Sequence, residues 1–596
     1  MKKFSNHTPP RHPTAHGRVA FMKIGVACCA LVLVVRMFSL QVIGYADYKA
    51  AAEGEHTFFK KLFPKRGEIF IRELKVDETL RPFLVDMNGE KVFPAVTNHE
   101  YSLVYADPRH VEDPTAASAL LAPLLELDIE HVTQKLSKKG DAYEVLKHKV
   151  IDETANAVRA LGLKGIHFAP EDRRYYPESG LGGHIFGFVG LEGDQRRGQY
   201  GLEGYFDELL RGKEGSLKLE TDAIGTLIPV GENRVTEAVD GSDLILTIDR
   251  TVQLMVCDKL KKWVVQHGAD GGSLIIQDPS SGAIRAMCAT PDFNPAKYGE
   301  SNIRAFNNPT IFSPYEPGSV FKAFTMAIGL ELEKVTPSTT YTDTGSVEIG
   351  SYTIRNSDGK AHGVQTMMDV LDESLNTGTI FVARKVGVEQ FRKYMKAFGF
   401  GSITGIDLDT ETSGDVSSLD QKKSDIYVAT GSFGQGITVT PLQLITAYSA
   451  LANGGKLMKP YIVDTIVKPD RSVIRTAPKV IRQVISTRTS DLIGGMLVNV
   501  VRKGHGKRAG VHGYFVAGKT GTAQVPRKDG RGYDRNATIG SFAGYAPVER
   551  PAFVMLVRID NPRDVQWAES SAAPLFGELA HFLLQYYEVP PDEKKL

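Results

Sequence analysis

The chain has 596 residues, of which 42% are hydrophobic and 24% charged, and its formal net charge is +1. This length is enough for two or three globular domains, and the near-neutral charge gives no support for a nucleic-acid-binding protein. We find neither a Gly-rich phosphate-binding loop nor a cluster of zinc-ligand residues, so the sequence predicts no cofactor and no metal.

The N-terminus begins with a polar, basic stretch over residues 1–18, and a hydrophobic segment follows over residues 19–43. The uninterrupted apolar part, 24–35, is short for a membrane span of about 20 residues. Lys23 and Arg36 flank it, and their long side chains can reach opposite membrane interfaces. A cleaved signal peptide is the alternative, but we find no convincing small-x-small cleavage site.

The basic residues before the hydrophobic segment predict that the N-terminus lies in the cytoplasm. We therefore expect a single-pass protein of the inner (cytoplasmic) membrane, with a cytoplasmic tail at 1–18 and an uncleaved anchor at 19–43. The bulk of the chain would then lie outside the membrane, in the periplasm or at the cell exterior.

A non-catalytic domain is predicted over residues 44–238. Apolar and charged residues alternate at helical spacing over 111–165, which indicates two or three short helices. A turn-rich stretch around Gly241 marks the boundary to a second domain, 239–588, and residues 589–596 are predicted to be a polar tail.

The second domain has strand patterns at both of its ends. We predict a strand at 244–248, a helix at 250–267, a hairpin at 272–289 and mostly helical segments from 319 to about 455. Further predicted elements are strands at 515–525, 538–544 and 553–559 and a closing helix at 574–586. Strands at both ends with helices between them predict an α+β domain with an antiparallel sheet.

The four cysteines do not form a disulfide framework. Cys28 and Cys29 fall in the hydrophobic N-terminal segment. Cys257 and Cys288 are isolated in patterned segments, and we interpret them by default as buried free thiols. A bridge between Cys257 and Cys288 is the alternative, which spacing alone does not decide.

Ser319 and Lys322 are the candidate catalytic pair. Pro317 and Gly318 precede them as breakers, and the apolar spacing of the following residues predicts a buried helix that begins near Ser319. Residues three apart on a helix are neighbours, so the Lys322 amine can reach the Ser319 hydroxyl. A desolvated lysine can lose its proton near neutral pH and serve as the base that a serine nucleophile needs.

The alternative interpretation of this pair is an N-capping serine with a surface lysine. The stretch Ser357-Asp358-Gly359-Lys360 has the same spacing, but its Asp-Gly pair predicts a solvent-facing turn. Two motifs further along the chain favour the catalytic interpretation of Ser319. These are Ser374-Leu375-Asn376, the only Ser-x-Asn in the chain, and Lys519-Thr520-Gly521, the only Lys-Thr-Gly.

The order Ser-x-x-Lys, Ser-x-Asn, Lys-Thr-Gly resembles the serine acyltransferases of the penicillin-binding protein and β-lactamase type. Longer stretches resemble class B penicillin-binding proteins, namely Glu316-Pro317-Gly318-Ser319, Gly431-Ser432-Phe433-Gly434-Gln435-Gly436 and Gly518-Lys519-Thr520-Gly521-Thr522-Ala523. The Glu-Pro-Gly-Ser form resembles the cell-division (FtsI-type) branch more than the elongation branch. The resemblance runs from the membrane anchor to about residue 585. It implies a transpeptidase domain with an antiparallel sheet flanked by helices, an N-terminal membrane helix and an elongated, dimerisation-like pedestal domain.

The resemblance also implies roles for the catalytic residues. Ser319 would attack the carbonyl between the last two D-alanines of a peptidoglycan stem peptide, and Lys322 would take its proton. D-Alanine would leave, and an amine from a neighbouring stem peptide would resolve the acyl-enzyme into a cross-link. Ser374 would relay a proton between Lys322 and the leaving amine, and Asn376 would hold the substrate backbone and Lys322.

Lys519, Thr520, Gly521 and Thr522 are the implied substrate-binding residues, on an expected edge strand. The Lys519 charge and the two threonine hydroxyls suit the terminal carboxylate of the donor. Gly521 has no side chain, so the donor peptide could approach the strand backbone and add as an extra strand. The backbone N–H groups of Ser319 and Thr522 would form the oxyanion hole.

Family boxes of the pedestal also have counterparts in this chain. Arg66-Gly67-Glu68-Ile69-Phe70 resembles the start of one box, although an insertion separates it from Asp86-Met87-Asn88-Gly89. Tyr101-Ser102-Leu103-Val104 fits the following strand, and Arg174-Tyr175-Tyr176-Pro177 and Gly201-Leu202-Glu203 match later boxes. We interpret Arg174, Tyr176 and Glu203 as structural, and the pedestal as a partner-docking surface.

The implied function is cross-linking of stem peptides in septal wall synthesis during cell division. β-Lactams resemble the acyl donor and are expected to acylate Ser319 and leave slowly. The expected partners are stem peptides, β-lactams, the membrane, a separate multi-span (SEDS-type) glycosyltransferase and other division proteins. The alternatives are an elongation-type transpeptidase, a hydrolase (D,D-carboxypeptidase or β-lactamase) and a non-enzymatic β-lactam sensor or division scaffold, the last disfavoured by intact Ser319, Lys322 and Lys519.

Overall fold

The structure is a computed structural model that describes residues 15–43, 57–75, 84–87, 89–178, 180–192, 195–220, 234–421, 424–527 and 532–592. Most of the predicted cytoplasmic tail and the end of the predicted polar tail therefore lie outside the described residues. The chain divides into two compact units, which are Met1–Pro64 with Lys213–Val239, and Lys65–Gly212 with Asp240–Leu596.

The described residues contain the following strands: β1 Thr57–Leu62, β2 Ile69–Arg72, β3 Val85–Met87, β4 Glu90–Ala106, β5 Glu144–Val150, β6 Ile166–Tyr175, β7 Phe188–Glu192, β8 Gln195–Gln199, β9 Gly215–Glu220, β10 Arg234–Thr236, β11 Asp243–Asp249, β12 Gly271–Gln277, β13 Ile284–Thr290, β14 Thr340–Asp343, β15 Ser346–Ile349, β16 Tyr352–Arg355, β17 Gly363–Thr366, β18 Lys456–Met458, β19 Val463–Val467, β20 Val473–Arg475, β21 Val480–Gln483, β22 Ala517–Pro526, β23 Tyr533–Ala546 and β24 Phe553–Asp560.

The α-helices of the same residues are α1 Ala15–Phe38, α2 Pro114–Leu125, α3 Ile129–Leu136, α4 Asp152–Ala160, α5 Gly183–Phe186, α6 Gly201–Tyr205, α7 Asp207–Arg211, α8 Arg250–Gln266, α9 Pro309–Phe312, α10 Lys322–Glu331, α11 Met367–Asp372, α12 Asn376–Val386, α13 Val388–Ala397, α14 Ser424–Gly431, α15 Pro441–Ala452, α16 Thr487–Arg502 and α17 Ala572–Tyr586. A π-helical turn, Ser39–Ile43, extends α1, and short 3-10 turns lie at Pro295–Glu300, Ile303–Ala305, Gly318–Phe321, Ser417–Asp420 and Lys507–Ala509.

The first unit contains the hydrophobic N-terminal helix and a three-stranded antiparallel sheet of order β1-β9-β10. The apolar part of the helix, Val19–Ile43, has 25 residues and is long enough to cross a membrane. Its large apolar side chains, such as Phe21 and Leu33, are exposed. Exposed apolar side chains over such a length are typical of a lipid-facing helix.

The second unit contains a sheet of eight strands, with the path β20-β19-β11-β2-β4-β3 and with β5 and β6 paired to β4. Strand β11 runs parallel to β2, with Leu244 opposite Ile69. The regions predicted as pedestal and catalytic domain are therefore joined by backbone pairing in one compact unit. Within the predicted pedestal, Arg174 and Glu203 form a buried ion pair with an N–O distance of 2.6 Å.

A five-stranded antiparallel sheet of order β13-β12-β24-β23-β22 lies near the candidate catalytic residues. The hairpin predicted at 272–289 is confirmed, with Ile275 opposite Met287. Helix α17 packs on β23 and β24, and β22 is the edge strand, as expected. The predicted α+β fold class is confirmed by this sheet and by the helices that connect its strands.

Two stretches differ from the predicted elements. The segment expected to be mostly helical from 319 to 455 contains two small antiparallel pairs, β14 with β17 and β15 with β16. Strands β18 to β21, between α15 and α16, were not predicted. These strands have only three to five residues each and are partly exposed, so period-2 alternation is too short to be recognised.

The prediction of free thiols at Cys257 and Cys288 is wrong. The two residues form a disulfide that joins α8 to β13, with a Cα–Cα distance of 5.6 Å. Helix α8 packs directly on β13, and this packing brings the two cysteines together. Cys28 and Cys29 remain free.

Candidate active site

Ser319 and Lys322 lie on one continuous helical stretch. The 3-10 turn Gly318–Phe321 runs directly into α10, and the Lys322 backbone N–H donates to the Ser319 carbonyl. The helix predicted to begin near Ser319 is therefore confirmed. Helical geometry places the two side chains on the same face, one turn apart.

A close backbone contact fixes the turn before Ser319. Gly318 has a φ of +61°, and its N–H donates to the Gly434 carbonyl at 3.1 Å. A Cβ at Gly434 would lie 2.4 Å from the Gly318 carbonyl oxygen, so this position accepts only glycine. The glycines of the 431–436 motif indicate such an approach, although we assigned the motif no role from sequence.

Glu316 was not predicted as a functional residue. Its carboxylate accepts a hydrogen bond from the Gly436 N–H at 3.0 Å and lies within 3.1 Å of the Tyr533 hydroxyl. Burial raises the pKa of Glu316. The carboxyl therefore ties the residues just before the nucleophile to two other segments.

Two buried hydroxyl groups form hydrogen bonds that hold the helical stretch of Ser319 and Lys322 in place. The Tyr448 hydroxyl donates to the Val320 carbonyl at 2.6 Å, and the Thr325 hydroxyl donates to the Ser432 carbonyl at 2.7 Å. Buried polar groups with satisfied hydrogen bonds hold a unique geometry. The helix that carries Lys322 is therefore rigidly placed.

The Lys322 amine is fully buried and faces Ser374. It donates to the Ser374 carbonyl and to the Ser374 hydroxyl, the latter at 3.2 Å. Burial and the nearby positive charge of Lys519 lower the pKa of Lys322 well below its ordinary value. This amine is therefore disposed to be neutral, which is the state a proton acceptor needs.

Ser374 has a left-handed backbone, with a φ of +56°. This conformation is uncommon for residues other than glycine and costs about 1–3 kcal/mol when the structure imposes it. At Ser374 it presents the carbonyl and the hydroxyl of one residue to a single amine. The sequence carries no signal for this strain.

Lys519 reaches the same hydroxyl from the sheet. Its buried amine lies 3.1 Å from the Ser374 Oγ. Burial lowers the pKa of Lys519 to about 8, against the opposing effect of the Asp372 and Glu569 carboxylates. The Ser374 hydroxyl is therefore shared by two amines that come from separate parts of the chain.

The threonines of β22 are arranged as hydrogen-bond donors. Thr522 Oγ1 accepts a hydrogen bond from the Ala568 N–H at 3.0 Å, so the Thr522 hydroxyl proton can be donated elsewhere. Thr520 lies next to Lys519, and its Oγ1 is 3.4 Å from the Lys519 amine. Both hydroxyls and the lysine thus belong to one short stretch of the edge strand.

The structure shows why position 521 must be a glycine, for a reason that the sequence did not indicate. A Cβ at this position would lie 2.8 Å from the Pro317 carbonyl oxygen and 2.9 Å from Val320 Cγ1. The side of Gly521 where a side chain would be therefore faces the catalytic turn. The sequence predicts that this glycine leaves room for a substrate peptide. In the structure it also leaves room for the turn at residues 317–321 that carries Ser319, which we call the nucleophile turn.

Asn376 begins helix α12, two residues after Ser374. Its amide nitrogen donates to the Arg355 carbonyl at 2.9 Å, and the expected contact to Lys322 is not made. Ser319 also differs from expectation, because the Lys322 amine is bonded to Ser374 rather than to the Ser319 hydroxyl. Within the described residues, the Ser319 hydroxyl makes no hydrogen bond.

Two protein families match this chain. The Penicillin binding protein transpeptidase domain matches residues 272–581, and the Penicillin-binding Protein dimerisation domain matches residues 81–246. The first covers the candidate site described above. The second covers most of the predicted pedestal.

Whole-length relatives agree with these matches. The chain is 34% identical to Stage V sporulation protein D of Bacillus subtilis over 590 residues, which are 98% of this chain and 88% of that protein. It is 32% identical to the penicillin-binding protein PbpB of Mycobacterium tuberculosis, covering 94% and 83% of the two chains. A peptidoglycan D,D-transpeptidase FtsI homolog of Mesostigma viride is 29% identical over 94% of each.

Solved structures show the same fold. Penicillin binding protein 3 from Mycobacterium tuberculosis, in complex with aztreonam, superposes with a TM-score of 0.67 at 26% identity, covering 89% of this chain and 98% of that chain. Penicillin Binding Protein 2X from Streptococcus thermophilus has a TM-score of 0.73 at 20% identity, covering 90% and 82%.

Proposed function

Since the chain belongs to the class B penicillin-binding proteins, whose relatives include peptidoglycan D,D-transpeptidases, we propose that Ser319 is its acylated nucleophile and Lys322 its general base. The observation that carries this proposal is the Ser374 hydroxyl, which lies 3.2 Å from the Lys322 amine and 3.1 Å from the Lys519 amine. Three motifs far apart in sequence meet there. The chain is thus a serine-type transpeptidase, and the proposal concerns which of its residues do the chemistry.

In the first half-reaction, Ser319 Oγ attacks the carbonyl carbon between the last two D-alanines of the donor stem peptide. Its proton passes to the neutral Lys322 amine. The C–N bond then breaks, and the leaving D-alanine nitrogen takes a proton through Ser374. An ester on Ser319 and free D-alanine result.

In the second half-reaction, a neutral amine of a neighbouring stem peptide attacks the ester carbonyl. A C–N bond forms, the bond from the carbonyl carbon to Ser319 Oγ breaks, and one amine proton returns to Ser319 Oγ through Lys322. The product is a cross-linked pair of stem peptides. Two moderate steps replace one difficult acyl transfer.

The strand residues would bind the donor. We propose that Lys519, Thr520 and Thr522 hold its terminal carboxylate, because a buried ammonium and two hydroxyl donors lie on one edge strand. The backbone N–H groups of Ser319 and Thr522 would stabilise the oxyanion, an interaction whose loss typically costs about 10²–10³ in rate. Asn376 would contact the donor backbone, since its contact to Lys322 is not formed.

Fluorescent penicillin tests this assignment on the purified chain. We expect one stable adduct, located on Ser319 by mass spectrometry, and none in Ser319→Ala. Ser357→Ala is the matched control, because Ser357 begins the second, exposed Ser-x-x-Lys and should label normally. Rapid turnover of the label would favour a β-lactamase, and labelling without cross-linking activity would favour a carboxypeptidase or a sensor.

We further propose that the cross-links serve septal wall synthesis, in company with a separate multi-span glycosyltransferase. The Glu316-Pro317-Gly318-Ser319 form and the similarity to a protein named FtsI homolog support this role. Depletion of the protein should then give filaments that lack septa. Wide or round cells would indicate an elongation role instead.

A second candidate role is wall synthesis during sporulation, favoured by the 34% identity to Stage V sporulation protein D over 98% of this chain. In that case depletion would leave vegetative growth unchanged and impair only spore formation. The same depletion strain therefore separates the three roles.

We also propose that Val19–Ile43 is an uncleaved single-pass anchor with the catalytic region outside the inner membrane. The basic residues before it and the Cys257–Cys288 disulfide support this orientation, because disulfides persist in oxidising compartments. Protease added to spheroplasts should digest the catalytic region and spare an N-terminal tag. Protection of the catalytic region would contradict the orientation.

A further inference from the structure

A row of aromatic rings lies on the solvent side of the sheet in the predicted pedestal. Strand β4 buries Val104 and Ala106 on one side, where they pack with residues of helices α2 to α4. Side chains alternate along a strand, so His99, Tyr101 and Tyr105 lie on the opposite side. None of these three residues is buried.

The rings form two groups. In the first, the His99 ring centre lies 4.5 Å from that of Tyr101 and 5.8 Å from that of Tyr175. In the second, the Tyr105 ring centre lies 4.7 Å from that of Tyr143 and 5.3 Å from that of a histidine on β6. The rise of a strand puts Tyr101 and Tyr105 about 13 Å apart along β4. We call the two groups together the aromatic face, which consists of His99, Tyr101, Tyr105, Tyr143, His167 and Tyr175.

A group of basic residues adjoins the first group of rings. In the pairing of β4 with β6, Arg173 is opposite His99. The Glu171 carboxylate accepts hydrogen bonds from Arg173 and, at 3.4 Å, from Arg196. The Lys149 backbone N–H donates to the same carboxylate at 3.0 Å. We call this set the arginine cluster, which consists of His148, Lys149, Glu171, Arg173 and Arg196.

The arginine cluster has more positive than negative charge. Two guanidinium groups and the Lys149 ammonium lie around the carboxylate of Glu171, which is only 9% exposed. Burial and the charges of Arg173 and Arg196 lower the pKa of Lys149, as expected of cations that are held close together. Arg173 Nε is buried and has no hydrogen-bond partner among the described residues. An anionic group bound here would relieve the repulsion and accept a hydrogen bond from that N–H.

Aromatic rings beside cations complement a polymer of sugars that carry carboxylates. One face of a pyranose ring consists of C–H groups and packs on an aromatic ring, while its hydroxyls reach tyrosine hydroxyls and histidine nitrogens. Guanidinium groups bind carboxylates, frequently through two parallel hydrogen bonds. The apolar side of a partner helix would instead fit a groove of aliphatic side chains, and this face consists of tyrosine and histidine.

We propose that the aromatic face and the arginine cluster together bind a glycan strand of the wall. Its sugar rings would lie on the aromatic face, and carboxylates attached to its muramic acid residues would lie at the arginine cluster. This site takes the polysaccharide, whereas the transpeptidase site takes the stem peptide. A bound strand would stay near the enzyme while its stem peptides are cross-linked, which raises their effective concentration. The inference uses the transpeptidase class of the chain and none of the assignments of catalytic residues.

Binding to isolated glycan strands tests the inference. The purified full chain is treated with penicillin to occupy the transpeptidase site. It is then titrated with strands from which an amidase has removed the stem peptides, so that the lactyl carboxylates of muramic acid are free. We expect saturable binding, and conversion of these carboxylates to neutral methylamides should weaken it at least about tenfold. Tighter binding to strands that keep their stem peptides would assign the bound carboxylates to the peptides.

Two double variants separate the rings from the charges. Tyr101→Ala with Tyr175→Ala removes two rings, and Arg173→Gln with Arg196→Gln removes two cations. Each should weaken binding to the free-carboxylate strands about tenfold or more. The arginine variant should bind the methylamide strands as well as the unaltered chain does, because those strands offer no charge to lose.

The control is Tyr352→Ala with Arg488→Gln, which changes one exposed tyrosine and one exposed arginine elsewhere in the second unit. Its affinity for the strands should equal that of the unaltered chain. Penicillin should acylate all three double variants at the rate of the unaltered chain, which also shows that they are folded.

Absence of saturable binding to either kind of strand would overturn the inference, and this is the result expected if the face binds a protein instead. Equal affinities of the tyrosine variant, the arginine variant and the control would overturn it as well. Normal acylation of Ser319 would still support the proposed function in both cases. Failure of penicillin to acylate Ser319 would overturn the proposed function, whereas the titrations would still decide the glycan site.

Discussion

The Lys322 amine donates a hydrogen bond to the Ser374 hydroxyl across 3.2 Å, although the two residues are 52 positions apart in sequence. The contact depends on the left-handed backbone of Ser374, which turns its carbonyl to the same amine. The Lys322 amine is buried, its hydrogen-bond partners are neutral oxygen atoms, and another lysine lies nearby. Burial and the second positive charge both lower the pKa of Lys322 and favour its neutral form. The pair therefore sets the protonation state on which the proposed acylation depends.

Replacing Lys322 by arginine should almost abolish acylation. A guanidinium cannot lose its proton in a protein, so Lys322→Arg keeps a positive charge and loses the base. We expect the second-order rate of penicillin acylation to fall by about 10² or more. Lys360→Arg is the matched control in the exposed Ser-x-x-Lys, and its rate should be unchanged. A Lys322→Arg variant that acylates normally would exclude Lys322 as the base.

The acylation rate should have a bell-shaped dependence on pH. It rises as pH increases through the lowered pKa of Lys322, because only the neutral amine accepts the serine proton. It falls as pH increases through about 8, where Lys519 loses the charge that holds the donor carboxylate. The measurement is the second-order rate of acylation between pH 5 and pH 10.

The descending limb can be assigned by substitution. Lys519→Arg keeps its charge above pH 10, so the fall near pH 8 should disappear in this variant. A penicillin methyl ester, which lacks the carboxylate, should react slowly at every pH and show no descending limb. A limb that persists in Lys519→Arg would assign it to another group.

Gly521→Ala should disturb the nucleophile turn. The added Cβ would meet the Pro317 carbonyl oxygen at 2.8 Å, and backbone atoms cannot move aside cheaply. We expect the free energy of unfolding to fall by about 1–3 kcal/mol and the acylation rate to fall with it. Gly495→Ala is the control, because nothing lies within 4 Å of its Cβ on helix α16. That variant should gain about 1 kcal/mol from helix propensity and keep the rate.

Glu316 should stabilise the folded state through the hydrogen bonds that its carboxylate accepts. Glu316→Ala leaves the Gly436 N–H and the Tyr533 hydroxyl without their partner, at a cost of about 1–3 kcal/mol in the free energy of unfolding. Glu316→Gln retains a carbonyl acceptor and should lose less than half of that. Chemical denaturation of both variants gives the comparison, and equal losses would mean that the charge, rather than the hydrogen bonds, is required.

The Cys257–Cys288 disulfide should stabilise the fold without affecting catalysis. Its residues are 31 positions apart, and closing a loop of this length is worth roughly 4 kcal/mol. The double variant Cys257→Ala with Cys288→Ala should therefore melt at a lower temperature and acylate at the same rate while folded. Reductant should lower the melting temperature of the unaltered chain and leave that of the double variant unchanged.

Local sequence determined much of this protein. The spacing of Ser319 and Lys322 follows from helical geometry, which operates within one turn and needs no distant contact. The hairpin at 272–289 and the strands around Lys519 follow from alternation of residue types over six or more positions. The hydrophobic segment at 19–43 follows from composition alone. In each case the physical cause lies within one continuous segment, the longest of which has 25 residues.

Only the tertiary structure decided the remaining features. The disulfide, the strained φ of Ser374, the backbone contact of Gly434 and the side of Gly521 that faces Pro317 each depend on which distant segment packs nearby. The residue types at these positions are compatible with several environments, so their own chemistry does not choose among them. Packing between distant segments makes that choice. The separation is 31 residues for the disulfide and 52 for the contact of Lys322 with Ser374, and it is more than about a hundred for the contacts of Gly434 and Gly521 with the turn that carries Ser319.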